Sequence, residues 1–255
     1  KNRASVVWIN SNCDRTFGAI QRLELAKRLK GAGLKFDAYG SCFGPEAKNG
    51  ISNHQNDYDY VIDRSTTWLQ TSKIMSRYKF YLSFENAIHC NDYLSEKFWR
   101  NSLQTDLVPI VFGTHPDDVR KMAPPNSYIH VEDFNKLEDL VAYIEHLNQN
   151  ETAYMAYHTW RFNIKPEHEK AVEQFRCGDD DAIRCAKRIC GGCRLLQKMK
   201  REGRPRKIVP SVTSWWWGNM HDDLCLKGSE LLGEIPNYLK RDYSKKAGPE
   251  IVQNF

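Results

Sequence analysis

The sequence predicts an α/β domain built on a parallel β-sheet with helices on both of its faces. Short apolar runs, typical of buried strands, alternate with amphipathic stretches of helical period along residues 4–147. This alternation is the pattern of a parallel sheet whose crossover connections are helices. The chain has 255 residues, of which 41% are hydrophobic, so it can build a core on both sides of such a sheet.

The first three predicted elements form a β-α-β unit. Residues 4–9 are apolar and β-rich, as in a buried strand, and residues 34–39 return as a second strand. Between them, residues 18–30 read as a helix that ends at Gly31. The apolar positions of this helix share one face: Ile20, Leu23, Ala26 and Leu29. The crossover of such a unit is right-handed.

The alternation continues through the next hundred residues. Further strands are predicted over residues 80–84, 107–112 and 127–131, and further helices over residues 66–78, 94–104 and 137–147. Sheets of this kind bind ligands outside the carboxyl ends of their strands, so the site is expected in the loops that follow the strands.

The strand pattern stops near residue 151. Residues 152–161, 167–177 and 181–199 are predicted to be helical. We therefore divide the chain into a sheet domain over residues 1–161 and a helical C-terminal extension over residues 162–255. The extension is expected to pack on the same domain or on a preceding domain.

Composition and charge exclude some classes of protein. The net charge of +5 is mild, and no nucleic-acid partner is predicted. No run of about 18 apolar residues is present that would span a membrane. No signal-peptide pattern opens the chain, and the first strand begins almost at once, which suggests a cut between domains. Any membrane attachment is expected through an anchor outside this chain.

Eight cysteines suit either disulfides or zinc, and four of them lie between Cys177 and Cys193. Only the spacing of Cys190 and Cys193 resembles a zinc-ligand pair, and no histidine pair follows it. Asn150-Glu151-Thr152 is an N-glycosylation sequon, which indicates an oxidising, secretory compartment. We therefore predict a disulfide between Cys190 and Cys193 and a glycan on Asn150.

The most informative stretch follows the strand at 80–84. Glycine-rich dinucleotide and ATP-binding loops are absent after the first strand. Instead, Glu85 and Asn86 stand at the carboxyl end of the strand at 80–84, and Asn91 or Asp92 is predicted to cap the next helix. Lys97 in the first turn of that helix opposes the helix dipole, which makes sense if an anion such as a diphosphate binds there. An ordinary surface lysine is the alternative.

Arg22 is the second candidate for an anion site. It lies in the helix after the first strand, which ends in the polar turn containing Ser11 and Asn12. If its side chain points to the carboxyl edge of the sheet, the guanidinium can bind a phosphate through two hydrogen bonds. An exposed helical arginine without a ligand is the alternative.

These motifs together resemble family 10 of the glycosyltransferases. The segment from Tyr78 to Asn86, followed by Asp92-Tyr93 and Glu96-Lys97, is similar to the family signature. Further similar motifs follow in the family's order: Ser11-Asn12-Cys13, Tyr39-Gly40-Ser41-Cys42, Val108 to Gly113, Ala123 to Ser127, and Tyr154-x-x-Tyr157-x-x-Trp160-Arg161. The resemblance is dense over residues 5–161 and extends thinly to Cys190 and Cys193.

The resemblance implies that the chain is the GDP-fucose-binding, Rossmann-like half of an inverting α1,3-fucosyltransferase with the two-domain GT-B architecture. It implies that Arg22 and Lys97 neutralise the diphosphate, that Glu96 binds a donor sugar hydroxyl, and that Asn86 and Tyr93 line the pocket. The predicted donor site also includes Ser11, Asn12 and Glu85. The acceptor is expected to be a GlcNAc-containing glycan. No cofactor is expected, since two cationic groups can stabilise the departing GDP without a metal.

The family's general base is a carboxylate of the other domain, so no base is assigned within this chain. The enzyme is expected in the Golgi lumen, as part of a type II membrane protein. If the other domain is missing, the chain should bind donor but transfer no fucose. If the chain alone did transfer fucose, Glu85 would be the first candidate for the general base.

Two other hypotheses stay open at this point. One is an inactive module that only binds a nucleotide sugar. The other is a metal-dependent transferase that uses Asp179, Asp180 and Asp181, although this triplet also fits a helix cap.

Overall fold

The computed structural model describes residues 5–43, 66–90, 92–162 and 200–203. Within them the chain forms one five-stranded sheet in the order β2-β1-β3-β4-β5. Its strands are β1 (Val6–Ile9), β2 (Phe36–Tyr39), β3 (Phe80–Phe84), β4 (Val108–Phe112) and β5 (Ile129–His130). Every ladder is parallel, with Val6 opposite both Phe36 and Phe80. The predicted parallel α/β fold is confirmed.

Helices connect the strands. They are α1 (Phe17–Gly31), α2 (Trp68–Met75), α3 (Glu96–Trp99), α4 (Pro116–Met122), α5 (Leu137–Gln149) and α6 (Glu151–Ala156). Short 3₁₀ turns occupy Ser41–Phe43, Leu103–Thr105, Val131–Asp133 and Thr159–Arg161. Local caps set several boundaries: Thr16 caps α1 and Thr67 forms a complete capping box with Gln70 at the start of α2.

The helices cover the sheet on both faces, as predicted. Alternate strand residues such as Trp8 and Leu82 pack with Leu25 of α1 and Ile144 of α5 in one buried cluster. The other face is covered by smaller clusters. In one of them Val111 of β4 packs with Phe98 of α3 and Val119 of α4, and in another Val7 packs with Met75 of α2. Because both faces are covered, all five residues of β3 and all five of β4 are buried.

Some predicted helices differ from the structure. The single helix predicted over residues 94–104 is wrong, because α3 ends at Trp99 and a separate 3₁₀ turn follows. The hydroxyl of Ser102 donates to the carbonyl of Lys97 at 2.7 Å, and that of Thr105 donates to the carbonyl of Asn101 at 2.7 Å. Such side-chain bonds to the backbone compete with helical ones.

Two further helices differ from the prediction. Helix α4 was missed, although Pro116 at its first position and two aspartates in its first turn are helix-start signals. The helix predicted over residues 152–161 ends at Ala156, and a 3₁₀ turn takes the remainder. Both differences fall at short helices, for which periodicity gives little information.

Most of the predicted C-terminal extension lies outside the described residues. The predictions that fall there are the helices over residues 167–177 and 181–199, the Cys190–Cys193 disulfide and the alternative metal site at Asp179–Asp181. They stay predictions. None of the helices in the part of the chain that is described is long and apolar enough to cross a membrane.

Candidate active site

The candidate site lies where the strand order reverses. The chain places β2 on one side of β1 and β3 on the other, so β1 and β3 flank the switch point of the sheet. Ligands of open parallel sheets bind in the crevice outside the carboxyl ends of the strands at this point. The predicted site residues after β1, Ser11 and Asn12, and those after β3, Glu85 and Asn86, stand at that edge.

The loops after β1 and β3 are tied together. The Asn12 side-chain amide donates to Asn86 Oδ1 at 3.4 Å. The hydroxyl of Thr16, the α1 cap, donates to the Asn86 carbonyl at 2.8 Å. Gly18 allows this approach, since a Cβ at that position would stand 2.3 Å from the Asn86 carbonyl oxygen. The first turn of α1 is therefore fixed against the end of β3.

A disulfide between Cys13 and Cys42 holds the loop after β1 against the turn that follows β2. The Cα atoms of the pair are 5.4 Å apart, and 29 residues separate them in sequence. Cys90, close behind Asn86, is also disulfide-bonded. These bonds were not predicted from the sequence, but they agree with the predicted oxidising compartment.

Arg22 points to the carboxyl edge, as the prediction required, but its guanidinium is already engaged by the protein. It donates to the Phe84 carbonyl at 2.9 Å and to the Asn12 carbonyl at 2.8 Å, and it also bonds the side-chain oxygen of Asn10. Only 2% of Arg22 is exposed. Burial lowers its pKa while Glu85 raises it, and an arginine stays cationic. Arg22 thus joins the ends of β1 and β3 and places a positive charge beneath the crevice.

Glu85 organises the start of α3. Its carboxylate is fully buried and accepts from the Ser95 amide at 2.8 Å, the Ser95 hydroxyl at 2.7 Å and Lys97 Nζ at 3.1 Å. Ser95 is the N-cap of α3, so the prediction that Asn91 or Asp92 caps this helix is wrong. Asp92 instead has a φ of 56° in the turn before the helix. Both oxygens of Glu85 are thus occupied by groups of α3 and its cap.

Lys97 lies between two carboxylates. Besides Glu85, its Nζ donates to Glu96 Oε1 at 3.2 Å and to the Ser95 hydroxyl at 2.9 Å. Burial lowers the pKa of Lys97, but Glu85 and Glu96 outweigh burial and raise it above its ordinary value. The ammonium is therefore charged at neutral pH, and it is held in place from below by Glu85. The alternative of an ordinary surface lysine is excluded, since only 9% of Lys97 is exposed.

The exposed rim of the site is polar. The side chain of Glu96 is 59% exposed. Burial raises its pKa, but the larger combined effect of Lys97 and local hydrogen bonds lowers it below its ordinary value, so it is a carboxylate at neutral pH. Burial, the larger effect, and Glu85 raise the pKa of the Tyr93 phenol, while the nearby Asn86 side chain lowers it. Tyr93 therefore stays a neutral hydroxyl.

The structure brings together all eight residues that the sequence analysis placed in the donor site: Ser11, Asn12, Arg22, Glu85, Asn86, Tyr93, Glu96 and Lys97. Four further residues that were not predicted lie in the same site: Asn10, Thr16, Gly18 and Ser95. The signals for two of these were present, since Thr16 and Ser95 precede helical segments as caps do. Among the described residues, no group of three or more histidine, cysteine, aspartate or glutamate side chains is placed to hold a metal ion.

Fold and site together define an open α/β domain that presents two buried cations and a polar rim at the switch point of a parallel sheet. Residues 1–215 match the family model of glycosyltransferase family 10 (fucosyltransferase), C-terminal part. The chain belongs to this family.

Relatives and solved structures were found as well. A gorilla (Gorilla gorilla gorilla) 4-galactosyl-N-acetylglucosaminide 3-alpha-L-fucosyltransferase, FUT5, is 30% identical over 211 residues, which are 83% of this chain and 45% of the relative. The human (Homo sapiens) 3-galactosyl-N-acetylglucosaminide 4-alpha-L-fucosyltransferase, FUT3, is 31% identical over 185 residues, which are 72% of this chain and 40% of the relative. The chain therefore spans less than half the length of these relatives.

A solved alpha1,3-fucosyltransferase with GDP aligns with a TM-score of 0.45 and 22% sequence identity, covering 61% of this chain and 38% of that one.

Proposed function

We propose that this chain binds GDP-fucose at the carboxyl ends of β1 and β3, as the donor-binding part of an inverting fucosyltransferase. The reaction is transfer of L-fucose to a GlcNAc-containing glycan in α1,3 linkage. Family membership supports the reaction class. The relatives' names mention both 3- and 4-linked fucosyl transfer to N-acetylglucosaminides, and the family resemblance favours the 3-linkage.

The observation that carries the proposal is the pair of cations at the switch point. Lys97 and Arg22 stand on α3 and α1, on the two sides of the crevice, and neither is an exposed surface charge. A diphosphate carries the negative charge that such a pair would neutralise. Lys97 needs only to exchange the exposed Glu96 carboxylate for a phosphate oxygen, because Glu85 and Ser95 continue to hold its amine.

Arg22 contributes in a different way. Its guanidinium is buried among the Phe84 and Asn12 carbonyls, so a direct phosphate contact requires the Asn12 carbonyl to be displaced. Without that movement, Arg22 acts on the donor as a fixed charge and as the support of the Asn12 loop. The remaining roles are proposed from the family resemblance: Glu96 binds a sugar hydroxyl, and Ser11, Asn12, Asn86 and Tyr93 line the donor pocket.

The chemistry that this arrangement offers is stabilisation of the leaving group. As the bond between fucose and phosphate breaks, negative charge grows on GDP, and prearranged cations in a partly dry site stabilise it more than water does. Within the described residues we assign no general base. Glu85 is poorly suited, because its carboxylate is fully buried and both oxygens accept hydrogen bonds from α3 and its cap. The base is proposed to belong to the part of the enzyme that faces the acceptor.

The proposal places the enzyme in the Golgi lumen, with its membrane anchor outside this chain. Disulfides form and persist in such an oxidising compartment, and Cys13, Cys42 and Cys90 are all disulfide-bonded.

Calorimetry in the presence of EDTA tests the donor. GDP and GDP-fucose should bind without added metal and more tightly than UDP or a UDP sugar. Lys97→Ala should weaken GDP binding by about 1.5–3 kcal/mol, roughly 10- to 150-fold, because a charge-assisted hydrogen bond is lost. Lys35→Ala is the matched control, since Lys35 is exposed and precedes β2 at the opposite edge of the sheet. Tighter binding of a UDP sugar, or equal GDP affinity of the two variants, would refute the proposed site.

A further inference from the structure

We propose that Asn150 carries an N-linked glycan and that this glycan stands at the amino edge of the sheet, remote from the proposed donor site. The sequence contains one Asn-x-Ser/Thr triplet, Asn150-Glu151-Thr152. A triplet alone is weak support for modification. The structure adds three observations, which concern the exposure of the triplet, the two side-chain amide atoms of Asn150 and the distance from the proposed donor site.

The first observation is the exposure of the triplet. Asn150, Glu151 and Thr152 are all exposed, at the point where α5 ends and α6 begins. The adjoining outer face of α6, with Thr152, Met155 and Ala156, is exposed too, and Met155 is 46% accessible. Within the described residues this face is open, so a bulky polar chain attached at Asn150 meets no obstacle there.

The second observation is the way Asn150 caps the helix. Its side-chain oxygen Oδ1 accepts from the Ala153 amide at 3.0 Å, which completes the N-terminus of α6. Attachment of a glycan uses the other atom of the amide, Nδ2, for which the described residues provide no hydrogen-bond acceptor. The cap therefore survives modification, and the glycan costs the helix none of its bonds.

The third observation is the position of the turn. Lys79, which directly precedes β3, donates to the Asn148 carbonyl at 3.3 Å and to Glu151 Oε2 at 2.8 Å. The Tyr154 hydroxyl donates to the Lys79 carbonyl at 3.1 Å. The sequon is thus fixed to the amino end of β3, whereas Glu85 and Asn86 follow its carboxyl end. Glu85 lies six residue steps beyond Lys79 along extended chain, which corresponds to about 20 Å.

The covalent step needs a lipid-diphosphate-linked oligosaccharide as co-substrate. Nδ2 of Asn150 forms a bond to C1 of the first sugar, the bond between C1 and the diphosphate oxygen breaks, and Nδ2 loses one proton. The lipid diphosphate leaves with the bonding electron pair. No oxidation or reduction occurs.

The test expresses the protein through the secretory pathway of a eukaryotic host and maps the peptide that contains Asn150 by mass spectrometry. An amidase that releases N-glycans converts a modified asparagine into aspartate, which identifies the site. Thr152→Ser keeps the triplet and should stay modified. Thr152→Ala and Asn150→Asp remove the triplet but keep a capping oxygen at position 150, so both should fold and lack the glycan.

The position of the glycan is tested with the same proteins. Removal of the glycan, by enzyme or by Thr152→Ala, should leave GDP affinity within twofold, because the two sites stand at opposite edges of the sheet. An unmodified Asn150 in folded, secreted protein whose host glycosylates its other secreted proteins would overturn the proposed modification. A large change in GDP affinity on deglycosylation would overturn its placement. Absence of GDP binding in every form would instead count against the proposed function and leave the glycan mapping intact.

Discussion

The buried pair of Glu85 and Lys97 is expected to couple the stability of the domain to the arrangement of its site. The side chain of Glu85 is 0% exposed and that of Lys97 11% exposed, with 3.1 Å between Oε2 and Nζ. Removal of one partner from such a pair leaves a buried charge without its counterion, which typically costs about 3–5 kcal/mol. Because Glu85 keeps both bonds from Ser95, we expect the lower end, about 3 kcal/mol, for Lys97→Met.

The second single variant and the double variant complete a thermodynamic cycle. Glu85→Gln removes the charge and places amide hydrogens among donors from Ser95 and Lys97, so about 2–3 kcal/mol of stability should be lost. In the double variant neither buried charge is left. Its loss of stability should therefore be about 2 kcal/mol smaller than the sum of the losses in the two single variants.

Urea unfolding followed by tryptophan fluorescence measures the four proteins, provided that the transitions are two-state. Arg28 and Glu24 of α1 form the matched control pair, with side chains that are 26% and 30% exposed and atoms 3.5 Å apart. Pairs of that kind couple by about 0.3–0.5 kcal/mol. A coupling between Glu85 and Lys97 no larger than that of the control would show that Glu85 does not hold the lysine.

Three further outcomes are expected. Gly18→Ala should cost about 3 kcal/mol of stability and weaken GDP binding, because the added Cβ would stand 2.3 Å from the Asn86 backbone. The control Gly31→Ala adds a Cβ with nothing within 4 Å and should stabilise α1 by up to about 1 kcal/mol. Arg22→Lys should lower the free energy of unfolding, measured by thermal denaturation, by about 2–3 kcal/mol and should also lower GDP affinity. A single ammonium nitrogen cannot reach the three acceptors that the two guanidinium nitrogens contact. Unchanged values would contradict this reasoning. Burial lowers the pKa of His130, so between pH ~6.5 and that lowered pKa the unfolded chain binds a proton that the folded chain does not. In this range the free energy of unfolding should decrease by up to about 1.4 kcal/mol for each unit by which the pH is lowered. His130→Gln should flatten this slope.

Much of the fold, and the position of several candidate site residues, followed from the sequence. Strand β3 was predicted with both of its ends, Phe80 and Phe84, because a continuous apolar run between polar residues is typical of a strand buried on both faces. The alternation of strands with helices predicted a parallel sheet, and that topology directs polar residues after the strands to one edge. Ser11, Asn12, Glu85 and Asn86 were found at that edge for this reason.

What each site residue contacts was decided only by the tertiary structure. Arg22 was expected to face a phosphate, yet it bonds Phe84, which lies 62 residues away, and Asn10. The Cys13–Cys42 bond depends on β2 lying beside β1, and the early end of α3 depends on side-chain bonds from Ser102 and Thr105. Periodicity describes which face of an element is apolar. It does not describe which distant backbone carbonyl or thiol the folded chain brings within bonding distance, and those contacts fix the cations at the switch point of this sheet.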